Sequence, residues 1–199
     1  MMQSFLPALM LYALVSTITP GPNNMMLLAS GANFGFRRTV PHMLGILTGV
    51  VVLILGVGAG LMALFDLMPW SYLALKGLAI AYMLWLAWKI ANAAAPEGRP
   101  AGSTPMSPLQ AAAFQWVNPK AWSMALTAIT VYAPQRDLAS VAVVAGCFAL
   151  VAFPANSLWV TLGQQVSRWL TSPLRLRSFN IVMALLLVAS LYPVLLTTK

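Results

Sequence analysis

Hydrophobic residues in this chain come in long runs, and polar residues gather between them. The runs cover roughly residues 5–28, 41–65, 69–91, 108–132, 138–163 and 178–198. Each is close to the ~20 residues that a helix needs to cross the hydrocarbon core of a bilayer, so the pattern predicts six membrane-spanning helices. Two runs are interrupted. The first carries Thr19-Pro20-Gly21-Pro22-Asn23-Asn24, and the fourth carries Asn118-Pro119-Lys120. Proline removes a backbone donor and clashes with the preceding turn, so spans one and four are predicted to be unwound near their middles. Inside lipid, unwound backbone is tolerated only where protein buries it or where it lines a polar cavity. Two such breaks in corresponding positions of two halves point to a transporter's substrate site.

The polar intervals divide the chain. Residues 94–107, with Pro96, Pro100, Pro105 and Glu97-Gly98-Arg99, read as a flexible cytoplasmic linker. It separates a first repeat, 1–93, from a second, 108–199. Three spans in each half make the second half run opposite to the first. The expected fold is therefore an all-α integral membrane protein of six helices in two inverted three-helix repeats. The repeat rests on the placing of Pro20 and Pro119, because residue identity between the halves is close to absent. Between spans five and six, residues 164–177 mix Trp169 and three leucines with three arginines. They read either as a short amphipathic segment on the inner membrane surface or as a polar loop anchored by Trp169. In span two, Gly45, Gly49, Gly56, Gly58 and Gly60 permit close helix contact. Packing within the chain is the expected use, and a homodimer is permitted.

Composition agrees with the run pattern. The chain of 199 residues is 60% hydrophobic and 7% charged, with a mean hydropathy of +0.83, whereas soluble domains carry about a quarter charged residues. A net charge of +8 would suit nucleic acid, but its distribution points elsewhere. With the N-terminus outside, Arg37, Arg38, Lys89, Arg99, Arg168, Arg175 and Arg177 fall on the cytoplasmic side, and Arg136 and Lys199 fall outside. The positive-inside bias thus places both termini in the periplasm, and the basic residues face lipid headgroups. The first run has no basic residue before Arg37 and no small-residue cleavage pattern, so it is expected to be retained as a helix rather than removed as a signal peptide. The single cysteine, Cys147, lies inside span five and reads as a small packing residue.

The chemistry is expected at the breaks. Each half-helix that resumes after a break starts with unpaired N–H groups and the positive end of its dipole. If the breaks meet near the midplane, Pro20, Gly21, Pro22, Asn23 and Asn24 on one side and Asn118, Pro119 and Lys120 on the other form a receptor for a carboxylate. Asn23 and Asn24 stand where helix caps belong. Lys120 is too deep in its span to snorkel easily. A lone proline break is more often a packing kink than a site, and a capped kink accounts for 20–24 by itself. It does not account for a second polar break with a lysine. Asn156 in span five suits helix packing and site lining equally. Trp116 and Trp122 lie near enough to the second break to line a cavity. His42, near the inner end of span two, reads more readily as interfacial than as a proton relay.

The acidic residues narrow the cargo. Asp66, Glu97 and Asp137 all fall in loops or at span ends, leaving no carboxylate at mid-membrane to pair with a cationic side chain or hold a metal. A zwitterion with a small neutral side chain fits better. Its carboxylate would meet the helix ends and Lys120, and its ammonium Asn23, Asn24, Asn118 or Asn156. Energy coupling would then fall to Lys120, His42 or Asp66, or to the membrane potential alone. No cofactor is expected. An intramembrane enzyme is disfavoured: there is no His-Glu-x-x-His pattern, no aspartate pair in the membrane, and no serine with a mid-span histidine. The alternatives left are an exporter of another small solute, such as a basic amino acid, and an assembly subunit without a cavity.

Thr19-Pro-Gly-Pro-Asn-Asn, Gly35-Phe36-Arg37, Gly45 and Gly49, Trp85-Leu-Ala-Trp-Lys-Ile90, Asn118-Pro119-Lys120, Asn156 and the run from Asn180 to Leu187 together resemble the LysE/RhtB family of amino-acid exporters over nearly the whole chain. Within it, the segments at 85–90 and 180–187 look most like the branch that exports cysteine and O-acetylserine. The resemblance implies a bacterial inner-membrane carrier that moves small amino acids outward, driven by protons. Threonine, homoserine and leucine remain within that range.

Overall fold

The computed structural model describes residues 2–68, 70–93, 104–133, 135 and 137–192, and these form helices joined by short turns. In chain order they are α1 (Met2–Ile18), α2 (Pro22–Phe34), α3 (Phe36–Gly58), α4 (Leu61–Leu67), α5 (Trp70–Ala91), α6 (Pro108–Phe114), a 3-10 turn (Gln115–Val117), α7 (Pro119–Tyr132), α8 (Leu138–Ser167) and α9 (Pro173–Ala189). Four of them begin with proline at the first helical position: Pro22, Pro108, Pro119 and Pro173. That position needs no N–H, and the fixed φ of proline is already helical. Three of the preceding residues cap by side chain. Ser107 and Gln110 form a reciprocal capping box, Asn118 accepts from the Lys120 backbone N–H, and Ser172 accepts from that of Arg175. The start of α8 is held in the same way by Asp137, which accepts from Ser140.

Among the described residues, three helices are long and apolar enough to cross a membrane: Phe36–Gly58, Leu73–Ala91 and Leu138–Ser167. Phe5–Ile18 and Pro22–Phe34 meet the same criterion together, as two pieces bent by 57° at the break, and make a fourth candidate if the pair is one span. The predicted fourth run is divided into α6, the 3-10 turn and α7, none of which is long enough alone. The predicted sixth run starts earlier than expected, at Pro173, and its end past Tyr192 lies outside the described residues. Most of the expected linker, residues 94–103, lies outside them too, as do Arg136 and Lys199. No separate surface helix forms over 164–177. Instead α8 continues to Ser167, and a short turn carrying the exposed Trp169 leads into α9.

Glycines let the backbones approach. A Cβ on Gly31 of α2 would strike the Val160 backbone of α8, and one on Gly163 of α8 would strike the Leu28 carbonyl and lie 2.8 Å from the Ala32 nitrogen. On the other side of the molecule, Gly49 of α3 faces Ala112 of α6, whose Cα would lie 2.7 Å from an added Cβ. Gly45 meets Pro108 and Ala111 in the same way. The glycines of span two at 45 and 49 therefore serve packing inside the chain. Between these contacts lies an apolar core that includes Leu27, Leu53, Ile54, Phe148 and Val160, with Cys147 among them. Outside, Leu73, Leu150, Leu185 and Trp88 are exposed. An apolar surface on an apolar core suits lipid as the surrounding solvent.

Candidate functional site

At the first break α1 stops at Ile18, Gly21 is fully extended (φ −178°, ψ 179°), and α2 starts at Pro22. Ending a helix leaves its last carbonyls without intrahelical partners, and here side chains supply the donors. Asn24 Nδ2 donates to the carbonyls of Thr17 (2.9 Å) and Thr19 (2.6 Å), and Trp159 Nε1 of α8 donates to that of Ile18 (3.1 Å). The Lys120 ammonium donates to the Thr19 carbonyl, the Thr19 hydroxyl (3.0 Å) and the Pro20 carbonyl (3.4 Å).

At the second break the chain passes from the 3-10 turn through Asn118, which is extended (φ −92°, ψ 106°), into α7. Gln115, wholly buried, spends its amide here. Its Nε2 donates to Asn23 Oδ1 (3.0 Å) and to the Ala111 carbonyl (2.9 Å), while its Oε1 accepts from Asn23 Nδ2 (2.9 Å) and Asn118 Nδ2 (3.3 Å). Two donors and two acceptor positions exhaust a carboxamide. The breaks thus meet through side chains, by the Asn23–Gln115 pair and by Lys120 on Thr19 and Pro20.

Beside this junction is a cavity with about 30 Å³ of room for solvent centres, enough for about two waters at roughly 10–15 Å³ each. Part of its lining is apolar: Ile46 and Val50 of α3, Met124 of α7, Phe148 and Ala152 of α8. The rest is Gly21 and polar groups: Ser16 and Thr17 of α1, Asn23 and Asn24 of α2, Asn118, Lys120 and Asn156. Among the described residues, Lys120 is the only charged one in this lining. Thr17 Oγ1 and Asn156 Nδ2 are buried without a hydrogen-bond partner among the described residues, and Asn156 is only 1% exposed.

Of the residues expected at a site, Gly21, Asn23, Asn24, Asn118, Lys120 and Asn156 line this cavity. Pro20, Pro22 and Pro119 shape the breaks without lining it. The capping role expected of Asn23 and Asn24 is not what forms: Gly21 occupies the cap position with no side-chain bond, leaving both amides for tertiary contacts. His42 is not interfacial but 2% exposed inside the protein, and both its ring nitrogens lack partners among the described residues. It does not line the cavity, and the Asp66 side chain lies outside the described residues. Trp116 and Trp122 brace the break instead of lining the space, with their rings edge-on at 6.1 Å and Trp122 Nε1 donating to the Trp116 carbonyl at 2.8 Å. Gln115 is the residue that sequence reasoning missed. Its signal was present: three residues before Asn118, it falls on the same helical face.

Residues 14–190 match the family described as LysE type translocator. The chain belongs to the LysE-type translocators. It is 32% identical over 190 residues to the cysteine/O-acetylserine efflux protein of Escherichia coli (strain K12), covering 94% of this chain and 96% of that protein. The protein of the same name from Shigella sonnei (strain Ss046) matches equally, and that from Escherichia coli O139:H28 (strain E24377A / ETEC) is 31% identical over the same span. No solved structure matches. This LysE-type translocator is accordingly a membrane transport protein and not an enzyme, and both breaks and the cavity between them lie inside the matched region.

Proposed function

We propose that this LysE-type translocator exports small neutral amino acids or their derivatives, of the cysteine and O-acetylserine type, across the bacterial inner membrane. Transport proceeds by alternating access around the cavity between the two breaks. One observation carries the reading: at the junction of two unwound segments lies a cavity whose lining, among the described residues, has one cation, no acid and several apolar side chains. Lys120 and the first N–H groups of α2 take the carboxylate, whereas those of α7, expected to share it, are already held by Asn118, whose side chain accepts from the Lys120 N–H and whose carbonyl accepts from that of Ala121. Oxygens of the break take the ammonium, and Ile46, Val50, Met124, Phe148 and Ala152 take a small side chain. A lysine or arginine side chain would bring a second cation beside Lys120 with no acid to pair it, which a site of low dielectric does not tolerate. Room for about two waters fits a closed intermediate that must open to admit an amino acid.

The proposed architecture is two inverted repeats, 1–93 and 108–199, joined by the cytoplasmic segment 94–107, with both termini periplasmic. Reciprocal packing supports it. The broken span α1/α2 lies mainly on α8, the middle helix of the other half, while α6 and α7 lie on α3; α3 also meets α8, and α5 meets α9. Protons are the proposed coupling ion, with Lys120, His42 and Asp66 the candidate carriers.

Uptake into inside-out vesicles tests the proposal. Labelled serine, cysteine and O-acetylserine should accumulate when a proton gradient is imposed, and labelled lysine should not. The Lys120→Ala protein, expressed at a similar level, should accumulate none of them, while Lys120→Arg should keep part of the activity. Accumulation of lysine, or an unchanged rate for Lys120→Ala, contradicts the assignment of the cavity.

A further inference from the structure

Lys120 does more here than wait for a carboxylate. An ammonium has three N–H donors, and Lys120 directs all three at the first break: to the Thr19 carbonyl, the Thr19 hydroxyl and the Pro20 carbonyl. These oxygens stand just past the C-terminal end of α1, where the helix dipole is negative. They do not line the cavity themselves but hold the ammonium of Lys120, which does, and among the described residues the lining has no acidic side chain to hold a cation instead. The structure thus contains an ammonium seat, and its occupant is a side chain from the opposite break.

An α-amino acid brings one ammonium and one carboxylate. Lys120 can meet the carboxylate only by releasing the Thr19 and Pro20 oxygens; Asn24 Nδ2 still donates to the Thr19 carbonyl, and that carbonyl's second acceptor position and the Pro20 carbonyl are then open to another donor. The substrate's own ammonium is a donor of the same kind. Resting on the substrate reading above, we infer that Lys120 occupies the seat of the substrate ammonium, and that loading exchanges one ammonium for the other. The incoming ammonium takes the Thr19 and Pro20 carbonyls, and the displaced lysine turns onto the incoming carboxylate. No bond is made or broken, and the net charge of the site is +1 before and after, because the amino acid is a zwitterion. Two further features fit the exchange. Gly21 gives the lysine its space: a Cβ there would lie 2.6 Å from Lys120 Cδ and 3.1 Å from Nζ. Asn156 Nδ2, buried in the same cavity without a partner among the described residues, is a donor available to the second carboxylate oxygen.

The exchange sets a double requirement. An acid without an amine, such as 3-mercaptopropionate, cannot replace Lys120 on the carbonyls. An amine without an acid, such as cysteamine, displaces the lysine and leaves it with no counter-ion. Neither should be carried.

Thermal unfolding of purified Lys120→Ala protein in detergent tests the seat, with Lys120→Met as a second variant that keeps the apolar stem. Ethylammonium chloride should raise the Tm of the variant saturably, because a ligand bound only to the folded protein stabilises it. Tetramethylammonium chloride at equal ionic strength, which has no N–H to donate, should leave it unchanged, and the original protein should respond to neither. Cysteamine, which has the ammonium of cysteine without the carboxylate that Lys120 would meet, should compete in the variant, raising the half-saturating ethylammonium concentration several-fold. If neither variant responds, or tetramethylammonium acts equally, there is no ammonium seat. If ethylammonium binds but cysteamine does not compete, although vesicles of the original protein transport cysteine, the exchange is overturned while the substrate reading stands. Vesicles that carry no small neutral amino acid would overturn the substrate reading and leave the seat to be decided by ethylammonium alone.

Discussion

Gln115 joins the two breaks through a single buried carboxamide, so it is the residue whose loss should be felt most widely. Gln115→Leu removes all four hydrogen bonds of the amide and leaves those of Asn23 and Asn118 without it. Each buried polar group so stranded costs about 1–3 kcal/mol, and thermal unfolding in detergent should show a clear loss of stability together with loss of transport. A Tm within a degree of the original would mean that the pair does not hold the breaks together. At this scale the sequence announced residue types better than roles. Asn23, Asn24, Asn118, Lys120 and Asn156 are polar groups in apolar runs, and their presence at the cavity follows from the cost of leaving them in lipid. Their partners are set by tertiary contact, so Asn23 reads as a cap until Gln115 is placed opposite it. His42 was misread for a similar reason, because nearness to the end of a run says nothing about which way a ring faces.

Among the elements, the breaks were legible because proline and glycine act locally, and both lie where the apolar runs predicted them. The lengths of the helices were less so. A turn of residues mixing leucine and arginine between two spans reads as surface helix or loop, and the continuation of α8 to Ser167 was not visible in the pattern. Glycine is legible only as a type. Gly163 of α8 leaves no room for a methyl group against the backbone at Leu28 and Ala32, whereas Gly146 of the same helix has nothing within 4 Å of an added Cβ. Gly163→Ala must push α2 from α8, at a cost of about 1–3 kcal/mol or more, and should lower Tm and yield. Gly146→Ala should be neutral or slightly stabilising, since alanine favours a helix more than glycine does. Equal behaviour of the two variants in a thermal unfolding series would contradict the close contact of α2 and α8.

The whole molecule combines a membrane protein's exterior with an arrangement that places each broken span against the other half. Hydropathy predicts six spans, and among the described residues three helices with one bent pair meet the length and apolarity required. Of the two runs that fall short, the fourth is divided into α6 and α7, because a break that builds a polar site also shortens the helices beside it, and the sixth ends outside the described residues. Orientation is a property of the whole chain in its membrane. The proposed inverted repeat requires both termini on one side, so a reporter fused after Lys199 should be active in the periplasm. Activity in the cytoplasm would contradict both the orientation and the repeat.

The central claim is that the space between the two breaks is where the substrate sits. With Cys147 replaced by alanine, a cysteine put in place of Ser16, which lines the cavity on α1, gives a reporter inside it. The rate at which a methanethiosulfonate reagent modifies this thiol in vesicles should fall as O-acetylserine is added, with half-protection at the concentration that half-saturates transport in the same vesicles. A modification rate that stays constant while transport saturates would show that the substrate passes elsewhere.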